Sequence, residues 1–272
     1  MPVVATNTAA NTALRFLNYN SSMAQSSVSK LASGSRIVKA SDDAAGLAIG
    51  TKLKGDVTVL TQAGVNASQG ASMVQVADGG LSRISDVLTR MKALAAQSLS
   101  GVPTDTERGY INAEFTQLLS EIDGIAATTR FNGESLLDGA KGDVEFFVGT
   151  SVTDVITVSF GTGYAASDLA VTGGSVSTAA AAATAMSNID ADIGTISNAR
   201  ATFGGQISRF EYRGQQIATS LENIDAAKSA IMDVDLAAEQ SRLVSSQVLV
   251  QAAVSAVSQA NQIPQSLLRV LQ

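Results

Sequence analysis

The adjacent carboxylates Asp42 and Asp43, preceded by Ser41, are the first residues of this 272-residue chain whose types could do chemistry. Paired carboxylates can run general acid–base catalysis or hold a hard cation. Both tasks need further groups, and the chain contains neither His nor Cys. The commonest general base and the commonest transition-metal ligand are therefore missing, and so are thiolates and disulfides. With no third carboxylate nearby, Ser41-Asp42-Asp43 reads as a helix start, its oxygens capping free N–H groups at the positive end of the helix dipole. Gly161, Gly163, Gly173 and Gly174 have no following Lys and mark turns, not a phosphate cradle. A third set is made of hydroxyls: Thr150, Ser151, Thr153, Thr162, Ser167, Thr172 and Ser175. They could accept O-linked modification, or serve only as turn and strand hydroxyls. No catalytic, cofactor-binding or metal-binding set is expected, and the chain does not read as an enzyme.

The elements that carry these residues follow from periodicity. From Met186 to Ile231 a three–four step picks out Met186, Ile189, Ile193, Ile196, Arg200, Phe203, Ile207, Phe210, Gly214, Ile217, Leu221, Ile224, Lys228 and Ile231. A repeat of this kind is a helix presenting one narrow apolar stripe to other helices. Unbroken, it would be roughly 68 Å long, against a radius of gyration of about 18–19 Å for a sphere-like chain of this length. That predicts an elongated molecule, with Gly204-Gly205 as the point where two helices could instead be joined. Leu14, Leu17, Ser21, Ala24, Val28 and Leu31 repeat the step near the N-terminus, with Gly34 placed for a C-cap. A third helix runs from Leu47 to about Leu99, with Met73, Val74, Ala77, Leu81, Ile84, Leu88, Met91 and Ala95 as its seam. A shorter one from about Thr106 to Thr128 has Tyr110, Phe115, Leu118, Leu119, Ile122 and Ile125 on its apolar side and folds back on the third. Val144, Phe146 and Val148, then Ile156, Val158 and Phe160, alternate around a polar turn and read as a β-hairpin. Ser177 is placed to cap the Ala-rich start of the long C-terminal helix.

Charge is distributed unevenly. Outside residues 42–239 there are six basic residues and no acid; within them 24 acids face 12 bases. Six scattered cations make no nucleic-acid footprint. Residues 1–13 lack the charged start and apolar stretch of a secretory signal. The uncharged run from Leu243 to Leu268 carries too many Ser, Gln and Asn residues for a membrane-spanning helix. The two ends are alike: long, nearly uncharged helices with apolar stripes, expected to pair with each other. The expected fold is mainly α, an elongated antiparallel helical bundle or coiled coil of N- and C-terminal segments around a small central β-hairpin.

Several stretches resemble bacterial flagellins. They are Thr6-Asn7, LASGSRIVKASDDAAGLAI from Leu31 to Ile49, RMKALAAQS from Arg90 to Ser98 and RFNGESLLDG from Arg130 to Gly139. In the C-terminal part they are SRFE from Ser208, DVDLAAEQS from Asp233 and QANQIPQSLLRVL from Gln259 to Leu271. Ala32 and Ala230 stand where that family usually has Ser and Arg. The central part is only a hairpin, so the outer variable domains of longer flagellins are missing.

The resemblance implies a structural subunit of the flagellar filament, secreted unfolded through the type III export apparatus to an extracellular polymer. It implies terminal helices, 1–41 and 236–272, that pair as the inner polymerisation domain, and a rod-like core, 42–235, with the hairpin at about 140–175. Subunit contacts would involve Leu14, Leu17, Val28, Leu31, Leu243, Val250, Val254, Val257, Leu267 and Leu268. Partners would be further flagellin copies, an export chaperone, the filament cap and hook-associated proteins, without cofactor, nucleic acid or membrane insertion. The alternative of similar class is a hook–filament junction protein.

Overall fold

The three–four spacing winds into five α-helices in the computed structural model, which describes residues 6–271, with side chains described as far as residue 262. They are α1 (Thr8–Ser33), α2 (Ala44–Leu99), α3 (Asp105–Thr128), α4 (Ala179–Met232) and α5 (Leu236–Leu271). Between α3 and α4 lie four short strands: β1 (Arg130–Phe131), β2 (Glu134–Ser135), β3 (Asp143–Phe147) and β4 (Val155–Ser159). The fold is mainly α, with only small antiparallel strand pairs. The chain divides into two compact units, residues 57–222 and residues 1–56 with 223–272.

In the 57–222 unit, α2, α3 and α4 bury the stripes that the spacing marks. Every predicted seam residue of α2 from Met73 to Ala95 is buried. In α4 the buried apolar positions Ile189, Ile196, Phe203, Phe210 and Ile217 fall seven residues apart. Gly204-Gly205 lies inside this run and the helix is continuous through it. Phe203 and Phe210 anchor it on either side, so burial outweighs the roughly 1 kcal/mol that each glycine costs. Two polar pairs show that α2 and α4 run antiparallel: Asp78 with Arg200 (2.9 Å) and Lys92 with Asp190. Arg90 with Glu114 (2.7 Å) links α2 to α3. Tyr110 departs from expectation: it is 73% exposed, because the buried face of α3 is set by Phe115, Ile122 and Ala126 one turn and more further on.

The start of α3 is a capping box. The Thr104 hydroxyl accepts from the Glu107 N–H (3.4 Å), and the Glu107 carboxylate accepts from the Thr104 N–H (2.7 Å). The Thr104 hydroxyl also donates to the Glu107 carboxylate (2.9 Å), and the two bonds this carboxylate accepts, backbone first and hydroxyl second, hold it below its ordinary range. The cap of α4 is Thr178, whose hydroxyl accepts from the Ala181 N–H (3.2 Å), and not Ser177 one residue earlier. Ser177 is instead bonded to Ser175.

β3 and β4 form the expected hairpin, pairing Val144 with Val158 and Phe146 with Ile156. Phe146 meets Phe210 edge-on with ring centroids 5.3 Å apart. Both rings lie over Gly70: a Cβ there would sit 2.6 Å from two carbons of the Phe210 ring and 3.2 Å from Phe146. β1 and β2 form a second, two-residue ladder around Asn132-Gly133, both with positive φ (52° and 84°). Asn-Gly is the pair that a tight hairpin turn of this hand favours. The segment after β4 is strapped down by side chains. Asp192, 3% exposed, accepts from the N–H groups of Ala170 (2.7 Å) and Val171 (2.8 Å). Burial nevertheless pushes its carboxyl above the ordinary range, against those two bonds. Asp123 and Asn112 accept from the Ala166 and Val176 N–H groups in the same way (2.8 Å each).

Candidate functional site

The remaining unit holds the two terminal helices. α1 and α5 pack along each other and run antiparallel, as their end contacts show. At one end Asn7 does two jobs. Its Oδ1 caps α1 by accepting from the Ala10 N–H (3.0 Å), and its Nδ2 donates to the carbonyl of Ala260 (2.8 Å). At the other end the Val234 N–H donates to the Gly34 carbonyl (3.1 Å), and Ser35 bridges Asp233. Gly34 is the left-handed C-cap of α1, as its position suggests (φ 69°).

The loop from Gly34 to Asp43 is tied at both sides. The Arg36 N–H donates to the Met232 carbonyl (2.6 Å), and its guanidinium donates to the Ile231 carbonyl (2.8 Å). Ser35 Oγ lies 3.0 Å from the Met232 carbonyl oxygen. The Ser41-Asp42-Asp43 group divides its work. Asp43 caps α2, accepting from the Gly46 N–H (2.8 Å), while Asp42 accepts from the N–H groups of Val38 (3.1 Å) and Lys39 (3.0 Å). Those backbone donors, Lys39 foremost, hold the Asp42 carboxyl below its ordinary range. Asp235 caps α5 through the N–H groups of Ala237 and Ala238 (3.0 Å each).

Pairing leaves much of the apolar surface of these helices open. Of the predicted contact residues, Leu243 is buried, and Leu17, Leu31, Val250 and Val257 are half-buried. Leu14 (42%), Val28 (50%) and Val254 (52%) remain exposed. The side chains of Leu267 and Leu268 lie outside the described residues. An open groove between the helices brings Ala24 and Val28 to the same lining as Leu243 and Val250. Sequence reasoning missed a further apolar set that is also exposed: Phe16, Tyr19 and Met23 on α1, and Val244, Val248 and Leu249 on α5. Phe16, Tyr19 and Met23 follow their own three–four step, a signal that a single-stripe reading passes over.

The pair is almost free of charge. Among the described residues Glu239 is its buried charged side chain, 3.3 Å from Arg242 and lining a groove with Ser27 and Lys30. By length and composition alone, Leu236–Gln262 (mean hydropathy 1.2) would pass for a membrane-crossing helix. Here it lies against α1, with Gln247 and Gln251 among the groove residues. Such an arrangement leaves apolar area free to be buried against another apolar surface.

The predicted hydroxyl sites are spread over a different part of the molecule. Thr150, Ser151, Thr153, Thr162 and Ser167 are exposed. Thr172 is exposed but donates to the Leu169 carbonyl (2.7 Å), and Ser175 is half-buried and donates to Asn112 (2.9 Å).

Comparison with known proteins gives matches over nearly the whole chain. Residues 4–142 match the family model described as the bacterial flagellin N-terminal helical region, and residues 186–271 match the flagellin C-terminal helical region. A flagellin of Halalkalibacterium halodurans is 34% identical over 99% of both chains. A flagellar filament 30.7 kDa core protein of Treponema maltophilum is 34% identical over 94% of this chain and 95% of its own. Among solved structures, a Bacillus cereus flagellin is similar at 30% identity with a TM-score of 0.51, covering 60% of this chain and 94% of that one.

Proposed function

This chain belongs to the bacterial flagellin family and is a structural subunit of the flagellar filament, and from that premise we propose that α1 and α5 are its polymerisation surface. The observation that carries the proposal is the apolar surface left open on a pair that holds the two ends of the chain together. Leu14, Val28, Val254 and their half-buried neighbours Leu17, Leu31, Val250 and Val257 gain cover only from further copies. Each 100 Å² of apolar surface so covered contributes about 2.5 kcal/mol. In this reading residues 1–41 and 236–272 form the inner polymerisation domain and 42–235 the core. The contact is heterologous, so it propagates instead of closing.

Export to the cell exterior by the flagellar secretion apparatus fits a chain with no disulfide to break. The export chaperone, the filament cap and the hook-associated proteins are its expected partners, and no catalytic step, nucleic acid or membrane insertion enters the reading. Nothing observed favours the hook–filament junction alternative.

The test is negative-stain electron microscopy after salt-induced or seeded polymerisation, beside a chain truncated after Leu236. Long uniform filaments from the full chain only are expected. Short caps or monomers from the full chain would overturn the reading.

A further inference from the structure

The apolar stripes of α1 and α5 do not by themselves fix where one helix sits along the other. In α1, Leu14, Ser21 and Val28 recur every seven residues, as do Leu17, Ala24 and Leu31; in α5, Leu243, Val250 and Val257 do the same. Sliding one helix by seven residues, about 10.5 Å, lays small and medium apolar groups on others like them. Burial that scales with area changes little in such a slide. Repeating seams hold one register only where a specific group breaks the degeneracy.

Asn7 on the Ala260 carbonyl is one such group, and the larger set lies where α1 ends. Ser35 and Arg36 are bonded to the carbonyls of Ile231 and Met232, which lie among the last four of α4 and have no partner within it. The guanidinium also meets the negative end of that helix dipole. The loop presenting Arg36 is itself held, by the left-handed Gly34, by the Asp42 carboxylate and by the buried Ile37. Two glycines of α2, one turn apart, make room for it. A Cβ on Gly46 would sit 2.7 Å from Ile37 Cδ1, and one on Gly50 would collide with the Met232 thioether. The result is one packed clasp, and a seven-residue slide breaks the bonds from Ser35 and Arg36 to Ile231 and Met232.

We infer that this clasp is the device that sets the register of α1 on α5, with Ser35 and Arg36 as positioning residues, while the stripes supply area. The inference deepens the filament-subunit reading and rests on it for its purpose.

The absence of native Cys makes disulfide mapping clean. Ala24→Cys with Leu243→Cys reports the observed register; Ala24→Cys with Val250→Cys reports a slide of one repeat. The full chain is oxidised after polymerisation, and intramolecular disulfides are scored in pellet and supernatant. With the clasp intact, the 24–243 bond should form at least tenfold faster than the 24–250 bond. In a Ser35→Ala/Arg36→Ala/Asp42→Ala background, the preference should fall to threefold or less in whichever fraction the protein occupies. Arg36→Ala alone, the milder change, should fall between. An unchanged tenfold preference in both backgrounds overturns the inference. So does a loss seen only with Glu239→Gln, which would place the register in the buried carboxylate. If the intact chain forms no filaments, the filament reading fails, while a preference that depends on the clasp in the soluble protein still supports the inference.

Discussion

Gly70→Ala should destabilise the protein, although alanine is the better helix former. In an exposed helix interior the exchange stabilises by about 0.8–1.0 kcal/mol. At Gly70 the new Cβ would lie 2.6 Å from two carbons of the Phe210 ring, roughly 1 Å inside the usual contact distance. The ring tip is normally free to yield, but here Phe146 closes the other side, its centroid 5.3 Å away and its own edge 3.2 Å from the new methyl. Overpacking of this kind costs about 1–3 kcal/mol. The net change is a loss of up to about 2 kcal/mol. Gly79→Ala is the control, because a Cβ there meets nothing within 4 Å on the same helix. Urea unfolding followed by circular dichroism should therefore place the two variants on opposite sides of the parent, about 1–3 kcal/mol apart. Phe210→Leu removes the ring carbons nearest the new methyl, so it should cost less in the Gly70→Ala background than in the parent. If Gly70→Ala stabilises as much as Gly79→Ala, the packing described around Gly70 is wrong.

Val28→Asp should block polymerisation, read by sedimentation, while leaving the circular dichroism of the soluble protein unchanged. Asp192→Ala orphans the N–H groups of Ala170 and Val171 and should cost roughly 1–3 kcal/mol in urea unfolding. Because its folded pKa is raised, the contribution of Asp192 is full below the ordinary carboxylate value and is lost as pH rises through the folded one. The stability of the parent relative to Asp192→Asn should therefore grow as pH is lowered from 7 towards about 4. Thr104→Ala should cost about 1 kcal/mol and speed hydrogen exchange in the first turn of α3. Glu107 has the opposite sign to Asp192. Its depressed pKa gives a contribution present above the ordinary carboxylate value and lost as pH falls through the lowered one, so the Thr104→Ala defect should shrink in acid.

What could be read directly from the residues was periodic. The seam of α2 from Met73 to Ala95, the stripe of α4 and the Val144–Phe160 hairpin were legible because burial on one face imposes a spacing, and spacing survives in one dimension. Gly34 was legible because a left-handed cap has few candidates. What failed depended on neighbours distant in sequence. Tyr110 continues an apolar pattern, yet the face of α3 turns away from it towards Phe115. Gly46, Gly50 and Gly70 look like weak points in a helix until the side chains that fill their space are known. Asp192 looks like a surface acid until the 170–171 backbone is placed on it. At the candidate site, Leu17, Leu31, Leu243, Val250 and Val257 were legible as a stripe. Asn7, Ser35 and Arg36 lie in stretches that carry the family resemblance, but their bonds were not legible, because hydrogen bonds from side chain to distant backbone leave no periodic trace. The capping box at Thr104 and the Asn132-Gly133 turn do carry local signatures, Thr-x-x-Glu and Asn-Gly.

The near absence of charge on the α1–α5 pair has a thermal consequence. Contacts made of methyl and methylene groups draw their strength near room temperature from water entropy, with little enthalpy and a large negative heat-capacity change. Contacts made of ions would respond to salt instead. Subunits joined through α1 and α5 should therefore cohere best in the warm and loosen on chilling, so that a cold store is a harsher condition for the polymer than a warm bench.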